Sequence, residues 1–226
     1  MLKVDLRPAH LAIGSKKIHY GWVIVAIATI MLLVTSSVRF ATAALVPYLN
    51  DPVVGFGWSY AAISLGFSLQ WIVLAIMSPY IGWLGDRYGI RRLLLLGIFL
   101  FTAGMLLTGT MTNLWQFYLY FGILLGIASA IFGILLVSGV TLWFRRCLGV
   151  ALGAVWSFQA IGVIAHIFLI GAAFDLLGMK WVFWLPGMVG GAIIFLLVRF
   201  FYNDPTEIGL RPVSYTHLTL PTNREV

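Results

Sequence analysis

Six long apolar runs constrain the fold of this chain more than any other feature of its sequence. A helix that crosses the ~30 Å apolar core of a bilayer needs about 20 mainly apolar residues, because it rises 1.5 Å per residue. The runs that meet this length are residues 21–48, 60–84, 93–112, 114–142, 148–175 and 181–202. Short segments with charged and turn-forming residues separate them. The sequence therefore predicts an all-α, polytopic membrane protein with six transmembrane helices.

The composition excludes a water-soluble protein. Of the 226 residues, 62% are hydrophobic and 9% are charged, whereas a soluble domain is about half apolar and about a quarter charged. Soluble enzymes and nucleic-acid-binding proteins are thereby excluded. The runs also lack the period-2 alternation of outer-membrane barrel strands. The single cysteine, Cys147, forms neither an internal disulfide nor a zinc site alone, and we expect no cofactor and no metal site.

The lysines and arginines predict the orientation, because cytoplasmic loops carry an excess of them. Eleven lie before the first run, after the second, after the fourth, or at and beyond the end of the sixth. The alternate loops hold only Lys180. We therefore expect a protein of the plasma (inner) membrane with both termini of the six-helix segment in the cytoplasm, and with residues 1–20 as a cytoplasmic segment. The net charge of +7 reflects topology rather than nucleic-acid binding. The eleven are Lys3, Arg7, Lys16, Lys17, Arg87, Arg91, Arg92, Arg145, Arg146, Arg199 and Arg211.

The last residues differ in character from all that precede them. Residues 213–222 resemble one reading frame of the transposon-end adaptor that is used to prepare shotgun sequencing libraries. We therefore expect residues 213–226 to be an artefact of sequencing and exclude them from the fold. A short polar cytoplasmic tail is the alternative interpretation.

The segment between the second and third runs carries the most specific motif. It reads G-W-L-G-D-R-Y-G-I-R-R over residues 82–92 and resembles the G-x-x-x-D-R-x-G-x-R-R signature of the major facilitator superfamily. Gly85 and Gly89 are expected to permit a tight turn. Asp86 is expected to accept from helix N-terminal amides or to pair with an arginine. The resemblance implies a loop that contacts the other half of the transporter and stabilises the state closed to the cytoplasm. Its defining positions are Gly82, Asp86, Arg87, Gly89, Arg91 and Arg92.

Further stretches are similar to the oxalate/formate and monocarboxylate porter branch of that superfamily. Residues 20–25 and 56–64 resemble the starts of its first and second helices. Residues 143–153 resemble W-F-x-x-R-R-G-x-A-x-G, although Cys147 and Leu148 replace the usual basic pair. Residues 204–212 resemble the P-E-x-x-G-L-x-P start of its central cytoplasmic loop, here placed at residues 203–212.

The resemblance has a consequence for the architecture. It implies about twelve helices in two six-helix halves, each built from inverted three-helix repeats, with the solute held between the halves. The chain then corresponds to the amino-terminal half, and the partner that it lacks is the carboxy-terminal six-helix half of the same gene.

Arg39 is the only clear cation within an apolar run, and charges inside membrane spans are costly and often functional. Its guanidinium is a candidate to grip a substrate carboxylate through two parallel hydrogen bonds. The alternative is an arginine that extends to the outer interface of the membrane.

Other polar residues within the runs are weaker candidates for substrate binding. His166 could bind substrate or carry a proton, or simply form a hydrogen bond between helices. Gln159, Gln70 and Tyr120 could line the path, as could Gln116 and Tyr118. Small residues predict close helix packing instead; they are Gly122 and Gly126, Gly149 and Gly153, and Gly187, Gly190 and Gly191.

These features predict a secondary active transporter that moves a small organic anion, such as a mono- or dicarboxylate, through the lipid bilayer by alternating access. Two alternatives stay open: a carrier for a neutral or drug-like solute, and an inactive half-transporter. The sequence contains neither H-E-x-x-H nor G-x-S-x-G, so an intramembrane enzyme is not expected.

Overall fold

A computed structural model describes residues 10–13, 16–53, 55–144 and 147–202. The all-α membrane fold is confirmed, with a small addition: strands β1 (His10–Ile13) and β2 (Lys16–His19) form an antiparallel pair before the first helix. Four-residue strands carry too little periodicity to be predicted. The helices are α1 (Tyr20–Ala41), α2 (Val46–Asn50), α3 (Tyr60–Tyr88), α4 (Ile90–Gly109), α5 (Leu114–Phe117), α6 (Leu125–Trp143), α7 (Leu148–Leu177), α8 (Met179–Leu185) and α9 (Gly191–Val198).

Helices of membrane-spanning length correspond to the predicted runs. Within the described residues, five are long and apolar enough to cross a membrane. They are α3 (the second pass), α4 (the third), the continuous stretch Leu114–Trp143 (the fourth), α7 (the fifth) and Met179–Val198 (the sixth). α1 precedes them and is counted here as the first pass. Its 22 residues measure about 33 Å, but the apolar stretch Tyr20–Ser36 within it is shorter than the other five. α1 ends earlier than the predicted run of residues 21–48. A 3₁₀ turn, Thr42–Leu45, separates it from α2, whose first turn holds Pro47, a residue that cannot continue a helix.

Two passes contain a π-helical turn that the sequence did not predict. Tyr118–Leu124 joins α5 to α6, and Pro186–Gly190 joins α8 to α9. Pro186 explains the second, because a proline removes one backbone donor and the helix adjusts its hydrogen bonding around it. Both π turns pack against α4.

Side chains at the two ends of the bundle show that successive passes run antiparallel. At one end, the Tyr20 hydroxyl donates to the backbone oxygen of Phe200 at 2.9 Å. Tyr20 also lies 5.4 Å, centroid to centroid, from the ring of Trp143 at the end of α6. At the other end, the Tyr118 hydroxyl donates to the backbone oxygen of Ala62 at 3.0 Å. The start of α1 and the ends of the fourth and sixth passes therefore lie at one end of the bundle, and the starts of the second and fourth passes lie at the other.

Glycines bring α6 close to its neighbours, as the sequence predicted for Gly122 and Gly126. A Cβ at Gly126 would lie 3.0 Å from the Val73 side chain and 3.2 Å from the backbone oxygen of Gln70. The glycines of the sixth pass also meet side chains at close range, such as Met105 beside Gly187. The expectation was wrong for Gly149 and Gly153 within the described part of the chain, because a Cβ there would meet nothing within 4 Å.

We predict that Gly126→Ala destabilises the chain while Gly133→Ala does not. Both lie in α6, so the change in helix propensity is the same, but a Cβ at Gly133 meets nothing within 4 Å. Crowding a packed interface costs about 1–3 kcal/mol. Thermal unfolding of the two purified variants in detergent measures the difference. Equal stability would contradict close packing of α3 on α6.

Candidate functional site

An open cavity of about 450 Å³ lies between α1, α3, α6 and α7. Three aromatic side chains border it: Phe40 from α1, Trp71 from α3 and Trp156 from α7. A second open cavity, of about 530 Å³, shares Phe40 and Trp156 and extends along α7 past Gln159. No described residue lining either cavity is charged. The remaining residues of the first cavity are Leu32, Ser36, Leu74, Ser78, Ser129, Ala130, Gly133, Ile134, Val137 and Ser138.

Serine hydroxyls supply most of the polar groups of the first cavity. The Ser78 hydroxyl donates to the backbone oxygen of Leu74 at 2.7 Å. Ser36, Ser129 and Ser138 make no such side-chain bond within the described part of the chain. Their hydroxyls therefore keep both donor and acceptor capacity for a solute or water.

Among the described side chains, Gln159 is the one predicted site residue that lines either of these two cavities. It is 4% exposed, and its Oε1 has no hydrogen-bond partner among the described residues. An unpaired buried acceptor costs about 1–3 kcal/mol. Gln70 is 2% exposed, and its Oε1 likewise has no hydrogen-bond partner among the described residues. It lines neither cavity, although it lies one helical turn before Leu74, which does.

The other predicted residues are not brought together by the described geometry. His166 in α7 and Tyr120 in the π turn of the fourth pass are half-buried, and neither lines the two cavities. Arg39 belongs to α1, next to the cavity residue Phe40, but its side chain lies outside the described residues.

Two weaker candidates have structural roles. The Gln116 Oε1 accepts from the backbone nitrogens of Thr112 and Asn113 at 2.7 and 3.2 Å. It thereby completes a capping box at the start of α5. Tyr118 ties the fourth pass to α3 through Ala62.

Sequence reasoning missed the aromatic and serine lining of the first cavity. A usable signal was present in the spacing, because Trp71, Leu74 and Ser78 lie at positions i, i+3 and i+7 of one helix and so share a face. Trp156 and Gln159 are likewise three residues apart in α7.

The signature segment is a helix-to-helix junction rather than a loop. Asp86 and Arg87 lie in the last turn of α3, and Arg91 and Arg92 lie in the first turn of α4. Gly89 alone separates the helices, with φ at +86°, a backbone conformation that glycine adopts without strain. The short break explains why the predicted run boundaries at 84 and 93 differ from the structure.

Gly85 does not permit the turn, so that expectation was wrong. It is buried inside α3, and a Cβ there would lie 2.6 Å from Leu135 Cδ2 of α6. Its role is close helix packing. Gly82 is less constrained, since a Cβ there would meet only Ile134 Cγ2, at 4.0 Å.

The charges at this junction do not follow the helix dipoles. An anion is favoured near a helix N-terminus and a cation near a C-terminus, by about 0.3–1 kcal/mol each. Here Asp86 lies near the C-terminus of α3, whereas Arg91 and Arg92 lie at the N-terminus of α4. Asp86 is exposed, with no ion-pair partner among the described residues. Only Arg87 follows the dipole rule, and its guanidinium lies 5.4 Å from the Trp83 ring. Helix stability therefore does not account for three of the four charges.

We predict that Gly89→Ala lowers the stability of the chain by about 1–3 kcal/mol, because a Cβ is strained at this positive φ. Gly82→Ala is the matched control within the signature, and we expect it to be near neutral. Thermal unfolding of both purified variants tests the prediction. A Gly89→Ala protein as stable as the control would show that the junction does not depend on the glycine.

Comparison with known proteins points to the same superfamily as the signature segment. The sequence profile of the Major Facilitator Superfamily matches residues 24–214. The MFS-type transporter pynF of Aspergillus niger is 29% identical over 162 residues, which cover 72% of this chain and 37% of that protein. The oxalate:formate antiporter of Oxalobacter formigenes is 23% identical over 190 residues, covering 84% of this chain and 44% of that protein.

The solved structure of the proton:xylose symporter XylE has a similar fold. It matches with a TM-score of 0.69 at 16% identity, over 82% of this chain and 46% of that one. The chain therefore spans less than half the length of each of these three proteins. Because the profile covers most of the sequence and the helices follow the fold of a solved member, this multi-pass membrane chain belongs to the Major Facilitator Superfamily.

Proposed function

We propose that this chain is the amino-terminal half of a secondary active transporter that moves a small organic anion, such as a mono- or dicarboxylate, by alternating access. The observation that carries the proposal is the open cavity that α1, α3, α6 and α7 line together. The membership of the superfamily supports a transporter, and the similarity to the oxalate:formate antiporter supports an organic anion.

The exposure of the helices supports a second half that completes the site. In α3 and α7, 17% of the apolar stretch is buried, against 56% in the fourth pass. These two helices flank the cavity, and their exposed side chains include Trp71 and Trp156. A second six-helix half that covers α3 and α7 would close the cavity and provide the opposite wall of the site.

We assign binding of the substrate carboxylate to Arg39. It follows Ser36 and precedes Phe40, both of which line the first cavity, along α1. A guanidinium there offers a planar pair of donors that matches a carboxylate. His166 stays a weaker candidate for binding substrate or carrying a proton.

A neutral or drug-like solute is the second candidate. It is favoured by the described lining of the two cavities, which contains aromatic, aliphatic and hydroxyl groups but no charged side chain. The isolated chain itself is expected to be inactive, because it holds one wall of its site.

The signature junction is the proposed gate on the cytoplasmic side of the plasma membrane, the side on which we also place both termini of the six-helix segment. Asp86 is exposed at the end of α3 and is oriented against the helix dipole. A charge-assisted contact to the second half would offset that cost in one state of the cycle and favour that state.

We predict that Asp86→Asn sharply reduces transport by the full-length protein while membrane insertion stays normal. Loss of the contact shifts the equilibrium between the two states by a few kcal/mol, which depopulates one side of the cycle. Asp175→Asn is the control, because Asp175 is an exposed acid in the last turn of α7 and does not belong to the signature junction. Uptake and surface expression are measured for both. Wild-type uptake by an inserted Asp86→Asn protein would remove the gating role.

We predict that Arg39→Lys and Arg39→Gln both weaken carboxylate binding by the full-length protein, the glutamine variant more. Leaving a buried anion unpaired costs ~2–5 kcal/mol, or roughly thirtyfold to several thousandfold in affinity, and lysine lacks the planar fork. Binding of a carboxylate and of its neutral amide is compared in each variant. A lysine variant with wild-type affinity, beside a glutamine variant that only expresses poorly, would support an arginine at the membrane interface instead.

A further inference from the structure

Three aromatic rings from three helices converge on the cavity that the proposed function assigns to the solute. Phe40, Trp71 and Trp156 are 40%, 48% and 51% exposed, and the centroids of Phe40 and Trp71 lie 5.9 Å apart. Phe40 and Trp156 border both cavities, so the two spaces lie next to each other. Aromatic faces of this kind recognise flat apolar groups through stacked or edge-to-face contacts.

The aromatic surface that borders the two open cavities argues against a very small solute. The two adjoining cavities measure about 450 and 530 Å³, within the ~300–1,000 Å³ range of sites that hold drug-sized ligands. A two-carbon acid would leave most of the aromatic surface uncovered. A dicarboxylate would place one of its charges beside apolar rings, where the described lining offers no cation.

One polar group interrupts the apolar lining of the second cavity. The Gln159 side chain is buried, with 4% of the residue exposed. Its Oε1 has no hydrogen-bond partner among the described residues. It lies three residues after Trp156, on the same face of α7. A buried acceptor without a partner is costly, so a ligand that donates a hydrogen bond to it gains affinity over one that does not.

We infer that the solute is a monocarboxylate with an aromatic body that carries a hydrogen-bond donor. The body packs against Phe40, Trp71 and Trp156, the donor binds the Gln159 Oε1, and the carboxylate is left for Arg39. This inference rests on the proposed anion transport and narrows it: Gln159 and the aromatic rings select the body, whereas Arg39 selects the charge.

The test measures equilibrium binding to the full-length protein in lipid nanodiscs with four probes. Indole-3-acetate has the ring, the N–H donor and the carboxylate; benzothiophene-3-acetate lacks the donor; acetate lacks the ring; indole-3-acetamide lacks the charge. We expect indole-3-acetate to bind at least about tenfold more tightly than acetate. We expect its affinity to exceed that of benzothiophene-3-acetate by roughly five- to a hundredfold, the range for one lost hydrogen bond to a buried group.

Three variants assign the selectivity to residues. Gln159→Met is expected to abolish the preference for indole over benzothiophene while leaving the affinity for benzothiophene-3-acetate within about twofold. Trp156→Ala is expected to remove most of the preference for aromatic acids over acetate. Phe158→Ala is the control, since Phe158 is 53% exposed on the same helix and lines neither cavity; it should bind all four probes as the wild type does.

The outcomes separate this inference from the function on which it rests. Acetate binding as tightly as the aromatic acids would overturn the inference and leave anion transport standing. If indole-3-acetamide bound as tightly as indole-3-acetate, the claim that the substrate is an anion would be overturned, and the aromatic site would stand. Equal losses for both ring systems in Gln159→Met would remove its role as the acceptor, and no binding of any probe would overturn both proposals.

Discussion

Close backbone approach around α6 is the constraint on which the rest of the bundle depends. Between helices in lipid there is no hydrophobic gain, so association relies on van der Waals contact where small residues let backbones meet. Gly126 brings α6 against α3, and on the facing helix Gly85 accommodates Leu135. Gly97 of α4 receives Ile131 of α6 in the same way. The fourth pass is therefore the axis of the bundle, and α3 and α4 are positioned by it.

That one-sided packing explains where the cavity lies. α3 packs mainly on α6, whereas α7 packs mainly on α1, where a Cβ at Gly162 would meet Leu33. Away from these contacts both helices keep broad apolar faces exposed. Between these faces the serines of α6 and the rings of α3 and α7 border an open space. In a membrane such a surface is stable only against lipid or another helical unit, which agrees with a chain that spans less than half of its relatives.

The sequence predicted those parts of the fold that depend on solvation, and it missed those that depend on local hydrogen bonding. The apolar runs identified the passes because bilayer thickness sets their length, and the 82–92 motif identified the superfamily. It did not predict that Gly89 alone would reverse the chain or that Gly85 serves packing, since both glycines look alike in sequence. Sequence alone favours polar residues as site candidates, and one of them, Gln159, lines the second cavity. It does not distinguish Phe40, Trp71 and Trp156 from the other apolar residues of the helices.

The π turn at Tyr118–Leu124 has a consequence for how the fourth pass is aligned with related sequences. Each π turn holds one residue more than an α turn, since its hydrogen bonds join residues five apart. Residues on its two sides are therefore out of phase by about a quarter of a turn relative to one continuous α-helix. A helical wheel drawn through the whole pass would misplace Trp115 relative to Ser129. Relatives that keep a regular α-helix there should align with a one-residue gap inside this turn. The parts of the pass before and after the turn can then change their facing residues independently.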